Sequence, residues 1–262
     1  MEILGYIGAL LVGLVLGLIG GGGSILTVPI LVYALALNPV IATAYSLFVV
    51  GSTSLVGSIK NMMDGKVDYR TALVFAAPAL IAVYLTRAFL IPAIPEELFS
   101  IGDFMVSKNL GIMLFFAIIM VLAAVSMIRS GNNNQDSQKK VVYNYPLIII
   151  EGLVVGVITG IVGAGGGFLI IPALVLLARL PMKRAVATSL LIVAIKSLIG
   201  FIGDVQHLEI DWIFLSIFTF ISIAGIFIGI WLNKFIDGAR LKTAFGWFVL
   251  AMGIYIIFKE IS

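Results

Sequence analysis

Along the chain, apolar residues come in long unbroken runs and polar residues are confined to the joints between them. The runs cover roughly 3–20, 25–37, 40–59, 71–92 and 108–128, then 146–162, 168–180, 185–203, 212–233 and 242–258. They are continuous rather than alternating, which is the pattern of membrane helices and not of barrel strands. Runs 25–37 and 168–180 are short: each rises only about 20 Å, against a hydrocarbon core of about 30 Å. Just before each stands a glycine cluster, in "GLIGGGGSILTVP" from Gly17 to Pro29 and "GIVGAGGGFLIIP" from Gly160 to Pro172. A glycine inside a helix costs roughly 1 kcal/mol relative to alanine, so several in succession break it. Each short run therefore predicts the second limb of a broken or re-entrant helical hairpin with glycine at its tip.

The two clusters stand at a constant offset of 143 (172 minus 29), and without a gap that offset pairs Gly13 with Gly156, Gly17 with Gly160, Gly20 with Gly163 and Gly23 with Gly166. It continues through Ser46 and Ser189, Gly57 and Gly200, and Asp68 and Asp211. The chain reads as a tandem duplication. Residues 1–128 form a first membrane repeat, 129–145 a polar cytoplasmic linker, "RSGNNNQDSQKKVVYNY", and 146–262 a second membrane repeat. Each repeat carries one glycine-tipped hairpin and about three further transmembrane helices.

Basic residues choose the topology. If each glycine break were a kink within one long span, the repeats would be parallel and the loop cations would divide 7 against 8. If it is a hairpin tip, the second repeat is inverted and 12 cations, among them Lys60, Lys66, Arg70, Lys139, Lys183, Arg184 and Arg240, share one side against Arg87, Lys108 and Lys259 on the other. The positive-inside rule selects the second arrangement, tandem inverted repeats with both termini outside. The fold class is an all-α polytopic membrane protein.

Composition agrees: 61% of the 262 residues are hydrophobic, 11% are charged, and mean hydropathy is +1.20. Cysteine is absent and histidine occurs once, which leaves no thiolate or imidazole cluster for a metal, and no cofactor motif is present. The net charge of +3 is scattered through loops and implies no nucleic-acid partner. The amino terminus lacks the basic region of a cleavable signal and reads as retained.

Non-helical backbone exists at membrane depth only where protein buries it or water lines it. Entering from opposite faces, the two tips are expected to meet near the midplane, as in transporters built from inverted repeats. Helices restarting near Ser24 and Gly167 would aim free N–H groups and positive dipole ends at that place, which suits an anion. The candidate binding residues are Gly20, Gly21, Gly22, Gly23 and Ser24 in one tip and Gly163, Gly165, Gly166 and Gly167 in the other. Gly13, Gly17, Gly156 and Gly160 read instead as close-packing positions.

Thr43, Ser46, Thr188 and Ser189 open the runs after the hairpins, where their hydroxyls could bond an oxyanion or, equally, cap or back-bond a helix. Lys196 lies inside the run 185–203 and could neutralise a bound anion or snorkel to the interface. Glu151 reads as facing the headgroups, His207 as a loop residue in "DVQHLEID", and "IPEELFSIGDFMVS", 94–107, as lying along the outer surface.

The doubled glycine pattern, followed in the second half by "MKRAVATSLL" from Met182 to Leu191, resembles the sulfite exporter TauE/SafE family of membrane permeases. The first half departs from it: "NPVIATAYSLF" lacks the Lys-Arg pair and has Tyr45 where Thr188 stands in the second. The resemblance implies transport of a small sulfur-containing anion, such as sulfite or an organosulfonate, across the cytoplasmic (inner) membrane of a prokaryote. With no nucleotide-binding motif, driving force would come from a coupling ion, H+ or Na+. A channel or a non-transporting intramembrane interaction protein remains the alternative reading, and no nucleophile, base or metal cluster recurs in the runs to suggest an enzyme.

Overall fold

The computed structural model describes residues 2–101, 104–129, 145–176, 180–233, 235 and 238–261. The linker residues 130–144 lie outside the described residues, as do Gly102 and Asp103. Among the described residues the regular structure is helical, apart from one short antiparallel hairpin, β1 (Glu97–Ile101) and β2 (Phe104–Ser107). That hairpin occupies the stretch read as lying along the outer surface.

Helix α1 (Glu2–Ile19) runs into a first limb made of a 3-10 stretch (Gly20–Leu26), one α turn (Thr27–Pro29) and a π stretch (Ile30–Ala34). Helices α2 (Pro39–Met63), α3 (Tyr69–Ala93) and α4 (Lys108–Arg129) follow. The second half repeats the order with α5 (Tyr145–Val162), a second limb α6 (Gly167–Leu176), α7 (Met182–Val205), α8 (Trp212–Leu232) and α9 (Gly238–Ile261). Among the described residues, five helical stretches are long and apolar enough to cross a membrane: Pro39–Met63, Tyr69–Ala93, Lys108–Ser126, Lys183–Val205 and Trp212–Leu232. At ten residues α6 rises only about 15 Å.

Helix starts fall where the local chemistry puts them. Asn38 caps α2 by accepting from the Val40 N–H at 2.9 Å, with Pro39 at the first helical position, where its missing N–H costs nothing. Asp68 and Asp211 cap α3 and α8 by accepting from Thr71 and Phe214 at 2.9 and 3.0 Å. Helices α1 and α5, α2 and α7, and α3 and α8 begin at residues 2 and 145, 39 and 182, and 69 and 212, each pair separated by the sequence offset.

The halves are interleaved. Helix α1 packs on α8, α5 on α3, α2 on α7 and α4 on α9. Contacts are exchanged at matched positions: Gly13 lies against Ser222 of α8, while Gly156 lies against Ala79 of α3, and 222 and 79 differ by the same 143 as 156 and 13. The Asp68 N–H donates to Thr188 Oγ1 at 3.0 Å, while the Asp211 N–H donates to Tyr45 Oη at 2.7 Å. Helices α2 and α7 run antiparallel, since Leu47 meets Gly200, Gly51 meets Leu198 and Gly57 meets Leu190.

Burial follows the same frame. Phe75, Phe116, Phe168 and Phe218 are among the largest fully buried side chains, whereas Leu73, Ile213 and Phe220 are among the most exposed. An apolar exterior of this kind is matched to lipid rather than to water. In the joint between α2 and α3, Asp64 pairs with Lys66 and Lys60, and its hydrogen bond to Lys66 holds its carboxyl below the usual range.

Candidate functional site

Both glycine clusters arrive at one place. A Cβ on Gly21 would stand 2.8 Å from the Gly167 Cα, and one on Gly167 would overlap the Gly21 carbonyl. The two tips therefore touch backbone to backbone, an approach that a side chain on Gly167 would block. Gly20 and Gly163, a matched pair, have φ of +73° and +71°, and Gly165 and Gly166 add +63° and +71°. Three left-handed residues among four positions of the second tip form a turn that glycine adopts at little steric cost.

The tips differ in build. The second behaves as the sequence suggests, with α6 restarting at Gly167. The first does not restart near Ser24: the backbone is already a 3-10 coil from Gly20, which contains Gly22 and Gly23, and α geometry returns only at Thr27. Consecutive glycines lower the cost of tighter coiling, and Ser24 secures it by donating from Oγ to the Gly21 carbonyl at 2.7 Å. Gly23 sits against the backbone of Val15 and Leu16 of α1.

Of the hydroxyl candidates, Thr43 packs against Gly163, donates to the Val40 carbonyl at 2.8 Å and accepts from Arg87. Ser189 lies beside Gly21 and donates to the Val186 carbonyl at 2.9 Å, the back-bonding alternative. Thr188 is taken up by Asp68 in the joint before α3. Ser46 falls between Thr43 and Val50 on the face of α2 turned to the second tip, fully buried, and its Oγ has no hydrogen-bond partner among the described residues.

Lys196 does not snorkel. It is fully buried, donates from Nζ to Thr159 Oγ1 at 2.5 Å, and lies against Gly166. No carboxylate pairs with it among the described residues. An ammonium buried at membrane depth without a counter-charge costs several kcal/mol, a cost that a bound anion would offset.

A second buried cation was not singled out by the sequence. Arg87, counted there as a joint residue, is fully buried because α3 continues through it in a π stretch, Thr86–Leu90. Its Nη1 donates to Thr43 Oγ1 at 3.1 Å and pairs with Asp204 Oδ1 at 3.4 Å. Arg87 and Asp204 border a cavity of about 380 Å³ that Asn38, Glu96, Lys108 and His207 also line. The available signal was the pairing of Arg87, inside the run 71–92, with Asp204, one residue past the run 185–203, on joints that the charge rule put on the same side. Glu151 is half-buried in α5.

Among the described residues no group of His, Cys, Asp and Glu could hold a metal ion. The family model of the sulfite exporter TauE/SafE matches residues 6–256, a span that takes in both tips, Arg87 and Lys196. The chain belongs to the sulfite exporter TauE/SafE family.

A probable membrane transporter protein of Xylella fastidiosa (strain 9a5c) is 30% identical over 255 residues, covering 95% of this TauE/SafE chain and 92% of its own length. The probable membrane transporter protein YunE of Bacillus subtilis is 30% identical over 78% of each chain. A probable membrane transporter protein of Methanocaldococcus jannaschii is 38% identical over 116 residues, 42% of this chain. No solved structure matches. Family, relatives and long apolar helices together support a multi-pass membrane transporter of the TauE/SafE type.

Proposed function

We propose that the chain is a secondary permease for a small sulfur-containing anion, such as sulfite or an organosulfonate, which binds between the two glycine tips with alternating access. The carrying observation is the backbone contact of Gly21 and Gly167 beside a buried lysine side chain, Lys196, that has no carboxylate partner among the described residues. The bound anion would take its charge balance from Lys196 and hydrogen bonds from the Ser46 hydroxyl and from backbone N–H groups at the start of α6. The family description supports the solute class. Coupling would be to H+ or Na+, in the cytoplasmic membrane of a prokaryote.

Alternating access needs two halves of opposite orientation, and several contacts support tandem inverted repeats with re-entrant hairpins. Helices α2 and α7, equivalent in the two halves, run antiparallel. The hairpin topology puts residues 38, 87 and 204 on one side and 68 and 184 on the other; Arg87 indeed meets Asp204, and Arg184 lies 3.8 Å from Asp68. With one long kinked span per half, both pairs would fall on opposite membrane faces. Single cysteines at Lys66 and Glu96 should then react with an impermeant maleimide from opposite sides, Lys66→Cys from the cytoplasm. Reaction from the same side contradicts the inverted arrangement.

The test of function is reconstitution into liposomes with sulfite, sulfate, methanesulfonate and chloride. Saturable counter-exchange of sulfite or methanesulfonate is the expected result. Non-saturating flux would favour a channel, and absence of flux for all four anions would contradict the reading.

A further inference from the structure

The 380 Å³ cavity at the start of α2 carries charges that the glycine-tip site does not use. Four ionisable side chains of fixed sign line it. Glu96 is 83% exposed at its side chain, so water screens it, whereas Arg87, Lys108 and Asp204 are only 0%, 8% and 4% exposed. The desolvated part of the wall thus holds two cations against one carboxylate. Lys108 is 3.8 Å from Glu96, so its pairing is itself largely with the screened partner. His207, Asn38 and Asn109 complete the polar lining.

The pairing of Arg87 is incomplete. Nη1 serves both Thr43 and Asp204, while Nε and Nη2 have no partner among the described residues, nor has Asp204 Oδ2. Nε and Nη2 form one edge of the guanidinium, the two-pronged edge that matches two oxygens of a carboxylate, sulfonate or sulfite. That edge is buried here, and Arg87 sits in a π stretch, an irregularity often found at functional sites. Thr43, which accepts from Arg87, is the same residue whose backbone packs on Gly163 of the second tip. One residue therefore separates the cavity wall from the tips.

We propose that this cavity is an outer capture site for an oxyanion, in which two oxygens of the ligand engage the free Nε and Nη2 edge of Arg87, draw the guanidinium away from Asp204 and Thr43 and so open the way past Thr43 to the tips. Asp204 is the internal competitor: it holds the guanidinium in the closed form and is displaced by the anion. The proposal rests on the permease reading for the existence of a path, but its charge preference can be read without any transport.

The natural chain has no cysteine, so Ser46→Cys provides a single reporter on the tip side of Thr43. The full chain in detergent is treated with 2-sulfonatoethyl methanethiosulfonate, an anionic reagent, and separately with its trimethylammonioethyl counterpart. The ratio of the two rates measures the charge preference of the path. In the Ser46→Cys background the ratio of anionic to cationic rate should exceed the ratio the two reagents show on a free thiol in solution. Arg87→Gln should lower the ratio about tenfold, and Asp204→Asn should raise it by a similar factor, because each removes one charge within a few ångströms of the path. Arg87→Lys keeps the charge without the two-pronged edge and should hold most of the ratio. Should Arg87→Gln fail to fold, the rise with Asp204→Asn carries the test. Ratios insensitive to both Arg87 and Asp204 overturn the proposal, and so does a reporter thiol that neither reagent reaches. Absence of anion exchange by the chain with its natural Ser46 in liposomes, alongside an Arg87-dependent ratio, would instead tell against the permease reading and leave the capture site standing.

Discussion

The two glycine clusters share a frame and differ in charge, and the difference separates what recurs at the 143-residue offset from what stands at one of the two places only. At matched positions the same contact recurs: Gly23 packs on Leu16 and Gly166 on Thr159, with 166 and 159 each 143 beyond 23 and 16. In the second half, Lys196 reaches this contact and bonds Thr159. Its first-half counterpart, 143 residues earlier, is Thr53, a buried hydroxyl with no partner among the described residues, and Leu16 offers it none. Glycine-mediated packing is thus common to both halves, whereas the cation belongs to one. The contact of Gly21 with Gly167 itself joins positions that the offset does not pair, since 21 matches 164 and 24 matches 167.

That comparison can be broken at several points. The largest effect is expected at the tip contact, where Gly167→Ala places a methyl on the Gly21 backbone, with nothing flexible to yield. Overpacking of this kind should cost about 3 kcal/mol, seen as a large drop in the ligand-free melting temperature together with loss of exchange. Unchanged melting would mean that the tips do not touch.

The interleaved seams come next. Gly13→Ala would meet the Ser222 carbonyl, and Gly156→Ala would stand 2.7 Å from the Ala79 carbonyl. Each should lose about 2 kcal/mol of stability, while affinity for the anion in the folded fraction stays near wild type. A pronounced affinity loss in either would move the site away from the tips. The smallest effect is expected at Thr53→Val, which removes an unpaired hydroxyl at nearly constant shape and should be neutral or stabilising by under about 1 kcal/mol, with unchanged anion affinity. A loss of affinity there would show that the first half also contributes to the ligand.

Much of this frame was legible in the sequence because its causes are periodic or local. Unbroken apolar runs set the helices to within a few residues, and the offset of 143 survives in helix starts such as Tyr69 and Trp212. Glycine clusters marked the tips because only a broken helix tolerates them. What could not be read depends on tertiary placement. Arg87 counts with the joint cations although the run 71–92 contains it, and its partner Asp204 lies 117 residues further on. The fate of each hydroxyl was equally hidden: Thr43 and Ser189 back-bond to their own helices, and Thr188 serves a distant cap residue. The 3-10 coil at Gly20–Leu26 was missed because glycine runs specify permissiveness, not a particular geometry.

The central claim is that Lys196 supplies the charge that holds an anion at the tips, and it is tested most directly by comparing anions of different charge. Binding of sulfite, which is largely divalent at pH 8, and of methanesulfonate, which is monovalent, is measured on the wild-type chain and on Lys196→Gln, with ligand-free melting recorded for both. Because the lost Coulomb attraction scales with ligand charge, sulfite affinity should fall by at least about tenfold and methanesulfonate affinity by clearly less. Equal losses for the two anions, or none, in a protein that melts as the wild type does would contradict the account.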